Sequence, residues 1–86
     1  MFINKAEDGT NNICGRNVHL FRKGMGISQR ELADRLQIQG LDIDKNAIQR
    51  IEAGKRFVTD IELSSLALVF EVTTEELLDY PKNKSN

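Results

Sequence analysis

Lys45, Asn46, Gln49 and Arg50 are four long or amide side chains spaced as two i, i+4 pairs around the apolar Ile48 and Ile51. If the segment is helical with the isoleucines inward, all four share its free face. Their chemistry suits the edges of nucleic-acid bases: Lys or Arg donates to guanine O6 and N7, and Asn or Gln forms a bidentate pair with adenine N6 and N7. On an arbitrary helix such a face is simply solvated, so the neighbouring elements must decide. Other reactive groups form no constellation. His19 has no acidic or cysteine partner nearby in sequence and reads as a surface residue, and Cys14 reads as a small buried thiol. Glu75, Glu76 and Asp79 imitate a carboxylate site, but acids in a first helical turn follow from the helix dipole. Gly24 and Gly26 read as a helix stop. No catalytic set emerges, so the chain is not expected to be an enzyme.

The 86 residues, 40% of them apolar, fit one domain against a prior of roughly 150 residues per domain. One cysteine and one histidine exclude a disulfide scaffold and a structural zinc site, and no metal or cofactor is expected. The longest apolar run, residues 66–70, is far short of the about 20 residues that span a membrane. The polar N-terminus lacks a secretory signal, so a cytoplasmic location is expected. Charge is unevenly distributed beneath a net −1: residues 16–56 carry nine Lys/Arg against five Asp/Glu, and residues 57–80 carry six acids and no base. That split suggests one face for a polyanion and another for something else.

The elements that would position the four side chains are marked by caps. Ser28 with Glu31, Thr59 with Glu62 and Thr73 with Glu76 fit the capping box; Asp44 can cap another helix, and Asn12 or a neighbour can open the first. Five helices follow. The first covers residues 13–25 with Cys14, Val18, Phe21 and Met25 on one stripe and Leu20 off it. The second, 29–37, buries Leu32, Ala33 and Leu36. The third, 45–53, buries Ile48 and Ile51 with Ala47 beside them and stops at Gly54. The fourth, 60–70, buries Leu63, Leu66, Ala67 and Phe70. The fifth starts at Thr74 and presents Leu77, Leu78 and Tyr80 before Pro81. The expected division is a disordered arm over 1–12, one domain over 13–80 and a disordered tail over 81–86.

Several strings now converge. Ser28-Gln29-Arg30-Glu31-Leu32-Ala33, then Ile48 through Ile51-Glu52-Ala53-Gly54-Lys55-Arg56, then Leu66-Ala67, then Val72 and Glu75 to Leu78 occur in order. Together they resemble the lambda-repressor/Cro-like, XRE-type helix-turn-helix family over residues 14–78. The resemblance implies an all-α, compact five-helix DNA-binding domain. This chain departs from it in two places. The turn between the second and third helices is about five residues longer than usual, and its Ile38, Leu41 and Ile43 are expected to fold back on the core. Glu71 stands where the family usually has Gly, so it must adopt a left-handed conformation or let the helix end differently.

The resemblance also implies roles. Base contacts fall on Lys45, Asn46 and Arg50, with Gln49 on the same face. Gln29 is the phosphate-contacting glutamine; Lys55 and Arg56 reach the backbone beyond Gly54, and Asn17, Lys23 and Arg30 are further phosphate candidates. Arg22 and Glu52 correspond to a partly buried structural salt bridge. The implied function is a sequence-specific regulator of double-stranded DNA, a repressor that reads a near-palindromic operator as a homodimer through helices 4 and 5. Leu68, Val69, Leu77, Leu78 and Tyr80 are available for that surface, or else complete the monomer's own core. The alternative is a protein-interaction module, such as an antitoxin, with secondary DNA binding.

Overall fold

A computed structural model describes residues 5–79. It contains five helices and, among the described residues, no strand: α1 (Gly15–Met25), α2 (Gln29–Ile38), α3 (Lys45–Glu52), α4 (Asp60–Phe70) and α5 (Thr74–Leu78). The bounds differ from the sequence reading by no more than two residues, the usual ambiguity at helix ends.

The starts follow the expected chemistry, with one exception. Thr59 and Thr73 form complete capping boxes with Glu62 and Glu76. Asp44 accepts from the Ala47 N–H at 2.8 Å. Ser28 accepts from the Glu31 N–H, but Glu31 does not return the bond; its carboxylate pairs with Arg35 one turn on, at 3.1 Å. Four helices close in the same way. At the ends of α1, α2, α3 and α4, the residue after the left-handed pivot donates back to a carbonyl five residues earlier: Ile27 to Arg22, Leu41 to Leu36, Lys55 to Arg50 and Val72 to Ala67. The pivot must turn left-handed, and Gly26, Gly40 and Gly54 do so freely. At α4 the pivot is Glu71, with φ 58°, so the left-handed alternative holds and this helix carries the strain of a Cβ in that region.

The core gathers one stripe from each helix: Val18, Leu32, Leu36, Ile48, Ile51, Leu66 and Leu77 are fully buried, with Cys14 beside them. Burial pushes the Cys14 thiol up to about 11, which keeps it protonated and inert. The Phe21 and Phe70 rings meet at 5.7 Å between centroids, a tilted pair that joins α1 to α4. The α1 stripe differs from the reading by one residue. Met25 is exposed, and the buried position on that face belongs to Arg22, because the core-facing stripe ends in a charged network. In the long turn, Ile43 is buried and Leu41 packs on the core, held partly by the Gln37 Nε2 donating to the Ile43 carbonyl at 2.8 Å. Ile38 is 86% exposed; as the last residue of α2 it points away from the fold-back. Leu77 completes the monomer core, while Tyr80 and the tail lie outside the described residues.

The N-terminal segment departs most from expectation. Residues 5–12 do not form a free arm. Ala6 and Thr10 close a turn, and Asn11 and Asn12 bind the end of α3: the Asn11 N–H donates to Gly54 O at 2.8 Å and its amide to Lys55 O at 3.0 Å. The Asn12 amide donates to Ile51 O at 3.1 Å and Arg56 O at 2.8 Å, and its oxygen accepts from the Gly15 N–H at 2.8 Å. These bonds give partners to backbone carbonyls at the end of α3 and in the segment that follows it, which orders residues 5–12. The approach is close enough that a Cβ on Gly15 would lie 2.1 Å from the Ile51 carbonyl oxygen.

Candidate nucleic-acid interface

On α3 the inward turn of Ile48 and Ile51 leaves Lys45, Asn46, Gln49 and Arg50 exposed, and none of the four has a side-chain hydrogen bond or ion pair among the described residues. Asn46, Gln49, Arg50, Ala53 and Lys55 line one shallow open hollow. The site is a row of free donors and amides on an eight-residue helix whose other side is core. Such a helix cannot set its own angle; its neighbours must.

Glu52, at the last position of α3, is the anchor. Its Oε2 accepts from Arg22 Nε at 2.6 Å, and its Oε1 accepts from Arg22 Nη2 at 3.1 Å, Gln29 Nε2 at 3.1 Å and His19 Nδ1 at 3.0 Å. One carboxylate therefore ties α3 to α1 and to the first turn of α2. Arg22 is held in turn by donation to the Ile27 carbonyl at 2.9 Å. Burial alone would raise the Glu52 carboxyl, but the bonds from Arg22, His19 and Gln29 and the Arg22 charge outweigh it and hold it below the usual range. The same hydrogen bond raises Arg22 against the opposing effect of burial. His19, read from sequence as a surface residue without partners, is a half-exposed member of this network. Its acidic partner is 33 residues away, a distance that local inspection could not bridge.

The phosphate candidates divide. Gln29 gives one amide hydrogen to Glu52 and retains a second, since a primary amide has two. Lys23, Arg30 and Lys55 are exposed, with no side-chain partner among the described residues. Asn17 is otherwise engaged: its amide donates to the carbonyls of Leu77 at 3.0 Å and Asp79 at 2.6 Å, which secures the end of α5 and leaves no donor for a phosphate. Arg56 is engaged as well. Its two terminal nitrogens grip Glu62 at 2.8 and 3.0 Å, and that carboxylate also closes the α4 capping box. The pair raises Arg56 and, chiefly through its hydrogen bonds, lowers Glu62. In sequence Arg56 stood beside Lys55 with nothing to distinguish them; only the capping-box glutamate six residues on hinted at a partner.

Two helices joined by a turn, the second presenting a free polar face and the first a helix N-terminus, define a helix-turn-helix nucleic-acid-binding protein. A family model described as helix-turn-helix matches residues 18–77, and the chain belongs to that family, of the XRE/lambda-repressor-like type. It is thus a DNA-binding helix-turn-helix regulator, of a family that is typically non-enzymatic. No curated protein and no solved structure gives a significant match to the chain. Among the described residues no helix is long and apolar enough to cross a membrane.

Proposed function

We propose that the protein is a repressor that binds a near-palindromic duplex as a two-fold dimer, with α3 in the major groove. The observation that carries this reading is the unpartnered row Lys45, Asn46, Gln49 and Arg50 on a helix whose angle is held by the Glu52 network. Each member offers donors suited to a purine edge. Gln29, aimed by Glu52, and the open N–H groups of the α2 first turn suit a phosphate, as do Lys23, Arg30 and Lys55. Occupying the duplex in this way is enough to exclude other proteins from it. The proposed dimer face lies on α4 and α5, where Ile61 and Leu68 are 69% and 68% exposed and Leu78 is partly exposed; Leu77, being core, takes no part. Half-site centres are then expected about 10 base pairs or a multiple apart.

Selection of duplexes from a random pool tests this, with the unaltered protein and Arg50→Ala at two salt concentrations. A palindromic site whose preference blurs at particular positions in the variant supports reading by α3. Salt-sensitive binding without enrichment, or none, favours the second reading. That reading is an interaction module such as an antitoxin, for which the exposed Ile61 and Leu68 on the acidic half speak, and an apolar protein interface would hardly respond to salt.

A further inference from the structure

Of the nine basic residues in 16–56, Arg22, Arg35 and Arg56 are ion-paired, and Arg16 joins Lys23, Arg30, Lys45, Arg50 and Lys55 as an exposed cation without a side-chain hydrogen bond or ion pair among the described residues. Sequence reading gave Arg16 no role. The fold brings it to the end of the reading helix. Gly15 packs against the Ile51 carbonyl so closely that it has no room for a Cβ, and Asn12 bridges the Gly15 N–H to Ile51 O. The next residue, Arg16, therefore lines a hollow with Glu52, Ala53 and Gly54. Ala53 also lines the hollow of Asn46, Gln49, Arg50 and Lys55. Ala53 is the residue the two hollows share, which places Arg16, in the first turn of α1, beside the C-terminal end of the basic face of α3.

We propose that Arg16 is a backbone-phosphate contact at the C-terminal edge of the reading face, occupying the role that Arg56, locked to Glu62, cannot fill. The inference rests on the DNA-reading proposal above. Asp8 lines the same hollow; its carboxylate accepts from the Thr10 N–H at 3.0 Å and the Thr10 hydroxyl at 2.7 Å and makes no ion pair with Arg16, although those bonds and, to a lesser degree, the Arg16 charge hold it below the usual carboxylate range. Glu52, also in the lining, is neutralised by Arg22. A phosphate arriving beside Arg16 thus meets a guanidinium that no carboxylate among the described residues holds in an ion pair, with the nearby Asp8 charge offsetting part of its attraction.

A salt titration of binding to the selected duplex tests the assignment, with the unaltered protein, Arg16→Gln, Arg16→Lys and Arg56→Gln. One lost phosphate contact reduces the slope of log K against log salt by about 0.9, so the deficit of Arg16→Gln should shrink by roughly threefold between 50 and 200 mM salt. Base preferences should not change, Arg16→Lys should keep most of the slope, and Arg56→Gln should lower thermal stability while leaving the slope intact. An unchanged slope in Arg16→Gln while the unaltered protein binds normally overturns this inference alone, as does a changed base preference. If the unaltered protein binds no duplex at all, the DNA-reading proposal falls and this inference with it.

Discussion

Two glutamates, each gripped by an arginine, show how differently the two halves of the molecule are held. Glu52 and Arg22 are 30 residues apart, and their side chains are only 6% and 9% exposed. Glu62 and Arg56 are six residues apart, with exposures of 13% and 29%. The first pair joins three helices and fixes the orientation of α3. The second closes a loop onto the start of α4, whose position is already secured by Leu66, Ala67 and Phe70 in the core. α3, which sets only Ile48 and Ile51 in the core and presents polar groups outward, depends on a buried ionic anchor; α4, with Leu66, Ala67 and Phe70 buried, needs only a cap.

The contrast can be tested by breaking each side. Glu52→Ala leaves the Arg22 guanidinium buried without its counter-charge and should destabilise the fold by about 3 kcal/mol. Chemical denaturation measures this, and DNA binding should weaken further than the loss of folded protein explains. Acid acts on the same group. Its folded value lies below the ordinary 4.5, so its contribution is fully present above that pH and is lost as pH falls through the lowered value. Urea midpoints across an acid series should therefore fall more steeply for the unaltered protein than for Glu52→Gln. Gly15→Ala sets a Cβ against backbone that cannot move aside cheaply and should destabilise by about 2 kcal/mol, loosening α1 from the end of α3. A loss near zero in a denaturation curve would show that this contact is slack. Glu62→Ala removes half a capping box and a partly exposed ion pair, so about 1 kcal/mol is expected, with DNA affinity unchanged once folding is allowed for. Smallest, and opposite in sign, Glu71→Gly relieves the left-handed pivot of α4 and should stabilise by about 0.5 to 1 kcal/mol, visible as a few degrees in a melting curve.

Much of this was legible in the chain because it is local. Caps at Thr59, Thr73 and Asp44, stripes such as Leu32, Ala33 and Leu36, and the left-handed dilemma at Glu71 are all decided within one or two turns of helix. The free face of α3 is legible for the same reason, because inward Ile48 and Ile51 leave the four polar residues on the opposite side. What escaped the reading is long-range. Asn12 meets Arg56 O across 44 residues and Asn17 meets Leu77 O across 60, and neither amide carries a sequence signal that separates a structural donor from a surface one. Arg22 took the buried place that periodicity gave Met25, since a pattern of apolar residues cannot register a charge buried with its partner. Arg16 and Arg56 differ in availability only because Glu62, closing its own helix start, claims one of them. Composition assigns charge to a segment; the pairing decides which charges remain for a ligand.

The most direct test of the central claim is an amide and side-chain NMR titration of the labelled protein with the selected duplex. The largest shifts, and contacts to base protons, are expected at Lys45, Asn46, Gln49 and Arg50, with the Gln29 side-chain amide moving and the Ile61 and Leu68 signals unchanged after dimer formation is accounted for. Contacts concentrated on α4 or α5, with the α3 side chains undisturbed, would contradict it.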